Sequence, residues 1–205
     1  RGYSRNKIIS QAKYNWILFL NSNILITDNH FLINLNREPL NCDAYMCNLT
    51  FTCEEDKSFE NYLNHPNRGL HQHNHLEEIK YTFLLFSCCL INKQIILDHN
   101  IYFNEKLNNY GGEELEWASK LNAHDAKIVY HQYALCSRTN HPSLYQHLPR
   151  LTEFGRTNLK QLSPENKKLI IKLNMLFQPY IINKLIIYAV YFLMKCCPIK
   201  SYGVI

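Results

Sequence analysis

Trp16-Ile17-Leu18-Phe19-Leu20-Asn21-Ser22-Asn23 is the stretch on which the fold class turns. Five apolar residues in a row, ended by three small polar ones, read as a short strand buried on both faces of a parallel sheet and followed by a turn. Before it, Ser4 is placed to cap a helix carrying Ile8, Ile9 and Ala12. After it, Asp28 is placed to cap a second helix running to about Asn36. Ala44 to Phe51 alternates Tyr45, Cys47, Leu49 and Phe51 with smaller or polar residues, the pattern of a half-buried strand. Glu54 to Lys80, polar and broken by Pro66 and Gly69, reads as a long loop or insertion. Tyr81 to Ile91 suits another strand, Lys93 to His99 a short helix, and Lys127 to Tyr133 a further strand. From Pro142 onward the pattern is helical, punctuated by Pro164 and Pro179. Strands and helices in this order make an α/β protein.

The chain has 205 residues, enough for one medium domain with a substantial core, and 46% of them are hydrophobic. A net charge of +5 without a polycationic tract suits a small anionic ligand or a membrane surface better than a nucleic-acid backbone. The eight cysteines include the adjacent pairs Cys88–Cys89 and Cys196–Cys197 but no C-x-x-C spacing. They therefore read as reduced thiols, not as a zinc ribbon or a redox motif. Opening at Arg1 almost directly into a helix pattern, the sequence reads as the C-terminal part of something longer.

Asn108 to Leu121, Asn-Asn-Tyr-Gly-Gly-Glu-Glu-Leu-Glu-Trp-Ala-Ser-Lys-Leu, carries most of the functional information. Gly111 and Gly112 permit a tight backbone approach. They deliver Glu113 and Glu114 to the first turn of a helix, where the dipole and unpaired N–H groups favour negative charge. With Leu115, Ala118 and Leu121 on one apolar face, the two acids are expected at an exposed rim, as a fold presents a carboxylate base to a cleft. Two glutamates also simply suit a helix start, and Glu116 reads as a solvated position. His71, His73 and His75 alternate and would share one side of an extended segment, or else lie in a solvated loop. Arg138 and Arg156 are candidates for a phosphate.

Three segments together resemble the central part of family 2 glycosyltransferases with the GT-A fold. Arg5-Asn6, the first helix, Trp16 to Leu20 and Asn21-Ser22-Asn23 are similar to that family's Ala-Arg-Asn, helix, strand and Asp-x-Asp. Phe86 to Lys93 is similar to its acceptor-side strand. Phe103-Asn104-Glu105 and Tyr110 to Glu116 resemble its Phe-Asp-Glu and Gly-x-Glu-Asp-x-Glu block, and Leu151 to Leu159 its closing helix. The resemblance spans about Ser4 to Leu162, so residues 1–162 would form a partial GT-A-like domain, a Rossmann-like mixed sheet flanked by helices, and residues 163–205 a helical extension.

What the resemblance implies is sugar transfer with inversion, from a nucleotide-sugar donor to a glycan or lipid-linked acceptor, as in polysaccharide biosynthesis. Such a hexosyltransferase-type reaction needs a base for the acceptor hydroxyl and a counter-charge for the departing diphosphate. Glu114 takes the place of the family's catalytic Asp, with Glu113 beside it. Arg5, Asn6, Asn21, Ser22, Asn23, Cys88 and Gly112 take substrate-binding places. Asn21, Asn23 and His141 are what remains for a divalent cation, manganese or magnesium; neutral carboxamides in place of two carboxylates make that site weak or absent. The same departure opens a second expectation, a sugar-nucleotide- or glycan-binding relative without turnover.

In the tail, Tyr180 to Cys197 is apolar apart from Asn183, Lys184 and Lys195, and Leu185 to Met194 is too short to cross a bilayer core of about 30 Å. Lysines and tyrosines around it suit a helix lying on a membrane surface, or one docked on the domain itself. The expected location is the cytoplasm, at the cytoplasmic face of a membrane.

Overall fold

A computed structural model of the chain describes residues 2–37, 41–173 and Tyr188. The expectations placed on Tyr180 to Cys197 therefore lie outside the described residues, Tyr188 excepted. In chain order the elements are α1 (Gly2–Gln11), β1 (Trp16–Leu20), β2 (Ile24–Ile26), α2 (Phe31–Arg37), β3 (Ala44–Phe51), α3 (Lys57–Leu63), β4 (Cys88–Asn92), α4 (Lys93–Asp98), α5 (Glu113–Asn122), β5 (Ile128–Arg138), α6 (Leu144–Arg156) and α7 (Pro164–Leu173). The class is mixed α/β.

The sheet is mixed, as expected, with strand order β1-β4-β3-β5-β2. β1 pairs antiparallel to β4 and β4 antiparallel to β3, while β3 and β5 run parallel and β2 closes the far edge antiparallel to β5. Hence β1, β3 and β5 all point the same way, and their carboxyl ends lie along one margin of the sheet. Trp16 to Leu20 departs from expectation: it is an edge strand with alternating burial, Ile17 and Phe19 inward and Leu20 exposed. Five consecutive apolar residues cannot by themselves distinguish a two-sided central strand from an edge strand whose outer face is partly covered by its own aromatics. Here Trp16 lies against Tyr45, ring centres 6.0 Å apart.

Four other departures are local. Tyr81 to Ile91 forms a strand only from Cys88. The preceding backbone donates to side chains instead, Leu85 N–H to Met46 Sδ and Phe86 N–H to Glu114. Helix α1 begins ahead of Ser4, and α2 begins at Phe31 because Asp28 spends its side chain on the His30 N–H and on Asn34. The polar stretch Glu54 to Lys80 is not a bare loop. It holds α3, capped by Asp56, and its end lies along the first half of β5 through Leu76 N–H to Tyr130 and Ile79 N–H to Ile128. β5 thus changes neighbour midway, from this segment to β2. The register of β3 against β5 slips between Cys47 and Asn48 at the same place, a bulge that re-aims the strand.

The core between sheet and helices is aromatic and aliphatic: Phe19, Met46, Phe86, Ile91, Phe103, Trp117 and Tyr130 are all buried. Trp117 Nε1–H donates to Ile101 O, so its one polar atom is satisfied in the interior. The described cysteines are buried and free. Among the described residues no helix is long and apolar enough to cross a membrane.

Candidate functional site

Along the margin where β1, β3 and β5 end, a cleft of about 830 Å³ opens. Ligands of open α/β sheets bind beyond the carboxyl ends of strands, and this cleft obeys that rule. Its walls come from segments far apart in sequence: Asn21, Ser22 and Asn23 after β1, Gly111 to Glu114 at the start of α5, and Arg5 from α1. A smaller cavity of about 300 Å³ adjoins it, and Asn23, Arg138 and Arg150 line both.

The α5 start is built from glycine geometry. Gly111 and Gly112 have φ of +83° and +86°, a backbone region that L-residues avoid. Gly112 is the N-terminal cap, leaving Glu113 and Glu114 as the first two helical residues. Asn158, fully buried, donates from Nδ2 to the carbonyls of Asn109 (2.9 Å) and Gly111 (2.8 Å) and fixes the turn from behind. Phe154 and Leu162 pack so closely that a methyl group on Gly112 would lie 2.9 and 3.0 Å from them. Asn158 falls inside the segment whose resemblance to a closing helix was noted, but only the folded chain shows what it holds. The buried side of α5 is made by Trp117, Ala118 and Leu121, not by Leu115, which faces the cleft.

The two acids differ. Glu113 is 3% exposed and lies 3.7 Å from Arg5 Nη1; Glu114 is 23% exposed and lies 2.7 Å from Arg5 Nη2. The exposed rim expected for both is therefore a partly buried ion pair. The second Glu114 oxygen accepts the Phe86 N–H at 3.1 Å. Arg5 is held in turn between rings, its guanidinium carbon 5.0 Å from the centre of Phe86 and 5.1 Å from that of Phe103. Asn6 clamps Phe103 by accepting its N–H and donating to its carbonyl. Arg5 and Asn6, placed by the resemblance among substrate contacts, thus act first on the protein. Asn6 fixes Phe103, Phe103 supports Arg5, and Arg5 orients Glu114. Only Arg5 of the two lines the cleft.

Cys88 corrects similarly. It is fully buried in β4, hydrogen-bonded with Cys136 and Cys47, and its neighbour Ser87 is the residue that lines the cleft. Glu116 is not solvated: it accepts from Ser163 N–H and from Asn166 Nδ2, fastening α7 to α5. Asn21-Ser22-Asn23 is indeed a turn, closed by Ile24 N–H to Asn21 O, and it also lines the cleft. Its two ends are anchored, Asn21 N–H to Ser87 O and the Asn23 carbonyl to both Thr139 N–H and Thr139 Oγ1. His71, His73 and His75 do not share one face. His71 sits in a short 3-10 helix, His73 pairs with Glu77, and His75 lies against His131 and Tyr133.

No protein-family model and no curated protein matches this chain.

The residues set aside for a cation were Asn21, Asn23 and His141. His141 lies in the smaller cavity, its Nδ1 2.9 Å from the Pro142 carbonyl. A carbonyl only accepts, so Nδ1 carries the proton and only Nε2 remains for a ligand. Burial first, then the positive charges of Arg138 and Arg150, push its pKa down. His147 beside it is pushed down to about 4, again chiefly by burial, with His141, Arg150 and Arg138 adding to the shift. Among the described residues no group of three or more His, Cys, Asp or Glu is placed to hold a metal ion. Two neutral amides and one histidine are a poor set for a hard dication, and the cavity that holds His141 is lined by two guanidiniums as well as by Glu54 and Glu55.

Proposed function

We propose that this chain is the catalytic part of a GT-A-like glycosyltransferase that moves a sugar from a nucleotide-sugar donor to a glycan or lipid-linked acceptor with inversion. One observation carries this reading. The Asn21–Asn23 turn and the Gly111–Glu114 turn, about ninety residues apart, meet across a single cleft at the carboxyl margin of the sheet. That is where a donor diphosphate and an acceptor base have to face each other.

In this reading Glu114 takes the proton from the acceptor hydroxyl as that oxygen attacks the anomeric carbon, and the nucleoside diphosphate departs toward Asn21 and Asn23. Glu114 is favoured over Glu113 because it is the more accessible of the two. Arg5 and the Phe86 N–H hold its carboxylate in one orientation, and each oxygen keeps a further lone pair for the acceptor proton. The cleft volume also suits a ligand of nucleotide-sugar size.

The test is turnover by the full chain across a panel of nucleotide sugars, read as released nucleoside diphosphate. Glu114→Gln keeps the size of the side chain but cannot take the proton, so transfer should fall roughly 10²- to 10⁴-fold while donor binding survives. If Glu113→Gln is dead and Glu114→Gln retains the parent rate, the base is one residue earlier. If neither substitution matters in an active protein, the chemistry assigned to this helix start is wrong. A second reading, a donor- or glycan-binding domain without turnover, is favoured by the hydrogen bonds that both Glu114 oxygens already accept. Donor binding without turnover by any donor would select it.

A further inference from the structure

We infer that Arg138 and Arg150 form the phosphate-holding end of this cleft and that a diphosphate binds there without a divalent cation. The inference rests on the proposed function only for naming the anion as part of a nucleotide donor. The site itself stands on the geometry of the two adjoining cavities.

Both arginines line the main cleft and the smaller cavity, as Asn23 does, so both reach the junction beside the Asn21–Asn23 turn. Arg138 ends β5. Its backbone is fixed on both sides, paired with Ile24 of β2 and Phe51 of β3, and its carbonyl accepts the Thr52 N–H. Arg150 comes from α6, its guanidinium carbon 5.8 Å from the centre of the Tyr110 ring, another cleft residue. The nearest histidines, His141 and His147, both have pKa values lowered in part by these two arginines, so their field is felt at the junction.

The groups beside the turn then decide what fits. The acids of the main cleft, Glu113 and Glu114, are met by Arg5. Glu54 and Glu55 line the smaller cavity, where Gln146 donates to Glu55. At the turn itself the side chains are neutral. A dication there would face two guanidiniums and no carboxylate of the turn, whereas a diphosphate finds two planar donors and two amides. The guanidiniums supply the counter-charge that an Asp-x-Asp motif supplies through a metal ion.

The test uses the full chain and inorganic pyrophosphate, followed by calorimetry in EDTA and again with manganese, with inorganic phosphate as a second probe. Pyrophosphate should bind in EDTA, more tightly than phosphate, and manganese, which itself complexes pyrophosphate, should not tighten the binding. Arg150→Gln lies on an exposed helix position and should weaken binding roughly 10- to 100-fold. Arg138→Gln should do likewise, with circular dichroism confirming the strand. Arg37→Gln, at the exposed end of α2 and outside both cavities, should leave the Kd unchanged. Binding that needs manganese, a Kd indifferent to Arg150→Gln, or no pyrophosphate binding at all overturns the inference. The two readings fail separately. A chain that binds pyrophosphate in EDTA yet turns over no donor loses the transferase reading and keeps this one. A chain that turns over donor only with manganese does the reverse.

Discussion

Replacing Gly112 by alanine tests the construction of the cleft independently of its chemistry. Two costs add. Residue 112 has φ +86°, and an L-residue in a left-handed conformation costs about 1 kcal/mol more than glycine. The new methyl group would meet Phe154 Cε2 at 2.9 Å and Leu162 Cδ2 at 3.0 Å, closer than real side chains approach. Overpacking of that kind costs about 1–3 kcal/mol. Together Gly112→Ala should destabilise by about 2–4 kcal/mol, a large share of the roughly 5–15 kcal/mol that holds a domain folded. Gly111→Ala, equally left-handed at φ +83° but with its nearest neighbour at 3.2 Å, should cost less, about 1–2 kcal/mol. Gly155→Ala, inside α6 with nothing within 4 Å, should instead gain about 0.5–1 kcal/mol from helix propensity. Urea unfolding of the three variants beside the parent gives the order directly. Because α5 begins at residue 113, relief of the clash would also shift Glu114 from Arg5, so ligand binding should weaken alongside stability. A Gly112→Ala variant within 0.5 kcal/mol of the parent, or a Gly155→Ala variant as damaged as Gly112→Ala, refutes the account.

Asn158→Ala should cost about 1–3 kcal/mol in the same assay, because the Asn109 and Gly111 carbonyls lose their buried donor; a neutral result means the glycine turn holds itself. Glu116→Ala should cost a similar 1–3 kcal/mol by stranding the Ser163 N–H and the Asn166 amide, and a loss under 0.5 kcal/mol would return Glu116 to a solvated role. Acid should destabilise the fold through His147. Its folded pKa lies at about 4, below the unfolded value near 6.5, so this contribution is complete above about pH 6.5 and is lost as pH falls toward 4. After allowance for solvent screening of a partly exposed ring, the loss is about 1–2 kcal/mol. His141, lowered chiefly by burial, adds in the same direction. Urea midpoints at pH 7.5 and 5 measure the slope, and His147→Gln should flatten it; a slope that His147→Gln leaves unchanged removes His147 as its source.

The sequence by itself determined which local pieces exist. Apolar periodicity marked β3, β5 and α5, a glycine pair marked the turn before Glu113, and the small polar run after Leu20 marked the turn at Asn21 to Asn23. These signals are short-range and come from backbone preference, so they survive being read one residue at a time. Strand direction was not among them, since an apolar run such as Trp16 to Leu20 buries side chains equally well in either orientation, and only pairing with β4 made it an antiparallel edge. Nor were the partners of the charged residues legible. Glu114 and Glu116 look alike on the chain, yet one meets Arg5, 109 residues away, and the other fastens α7. Asn6 and Cys88 sat in the right neighbourhood but turned out to brace the site or fill the core, while Arg150 reached it without any local mark, and Ser87 and Asn158, inside segments that stood out, took parts the sequence did not show. Long-range ion pairs, buried amide clamps and the junction of two cavities depend on which surfaces meet when the chain closes, and that closure is a property of the tertiary structure alone.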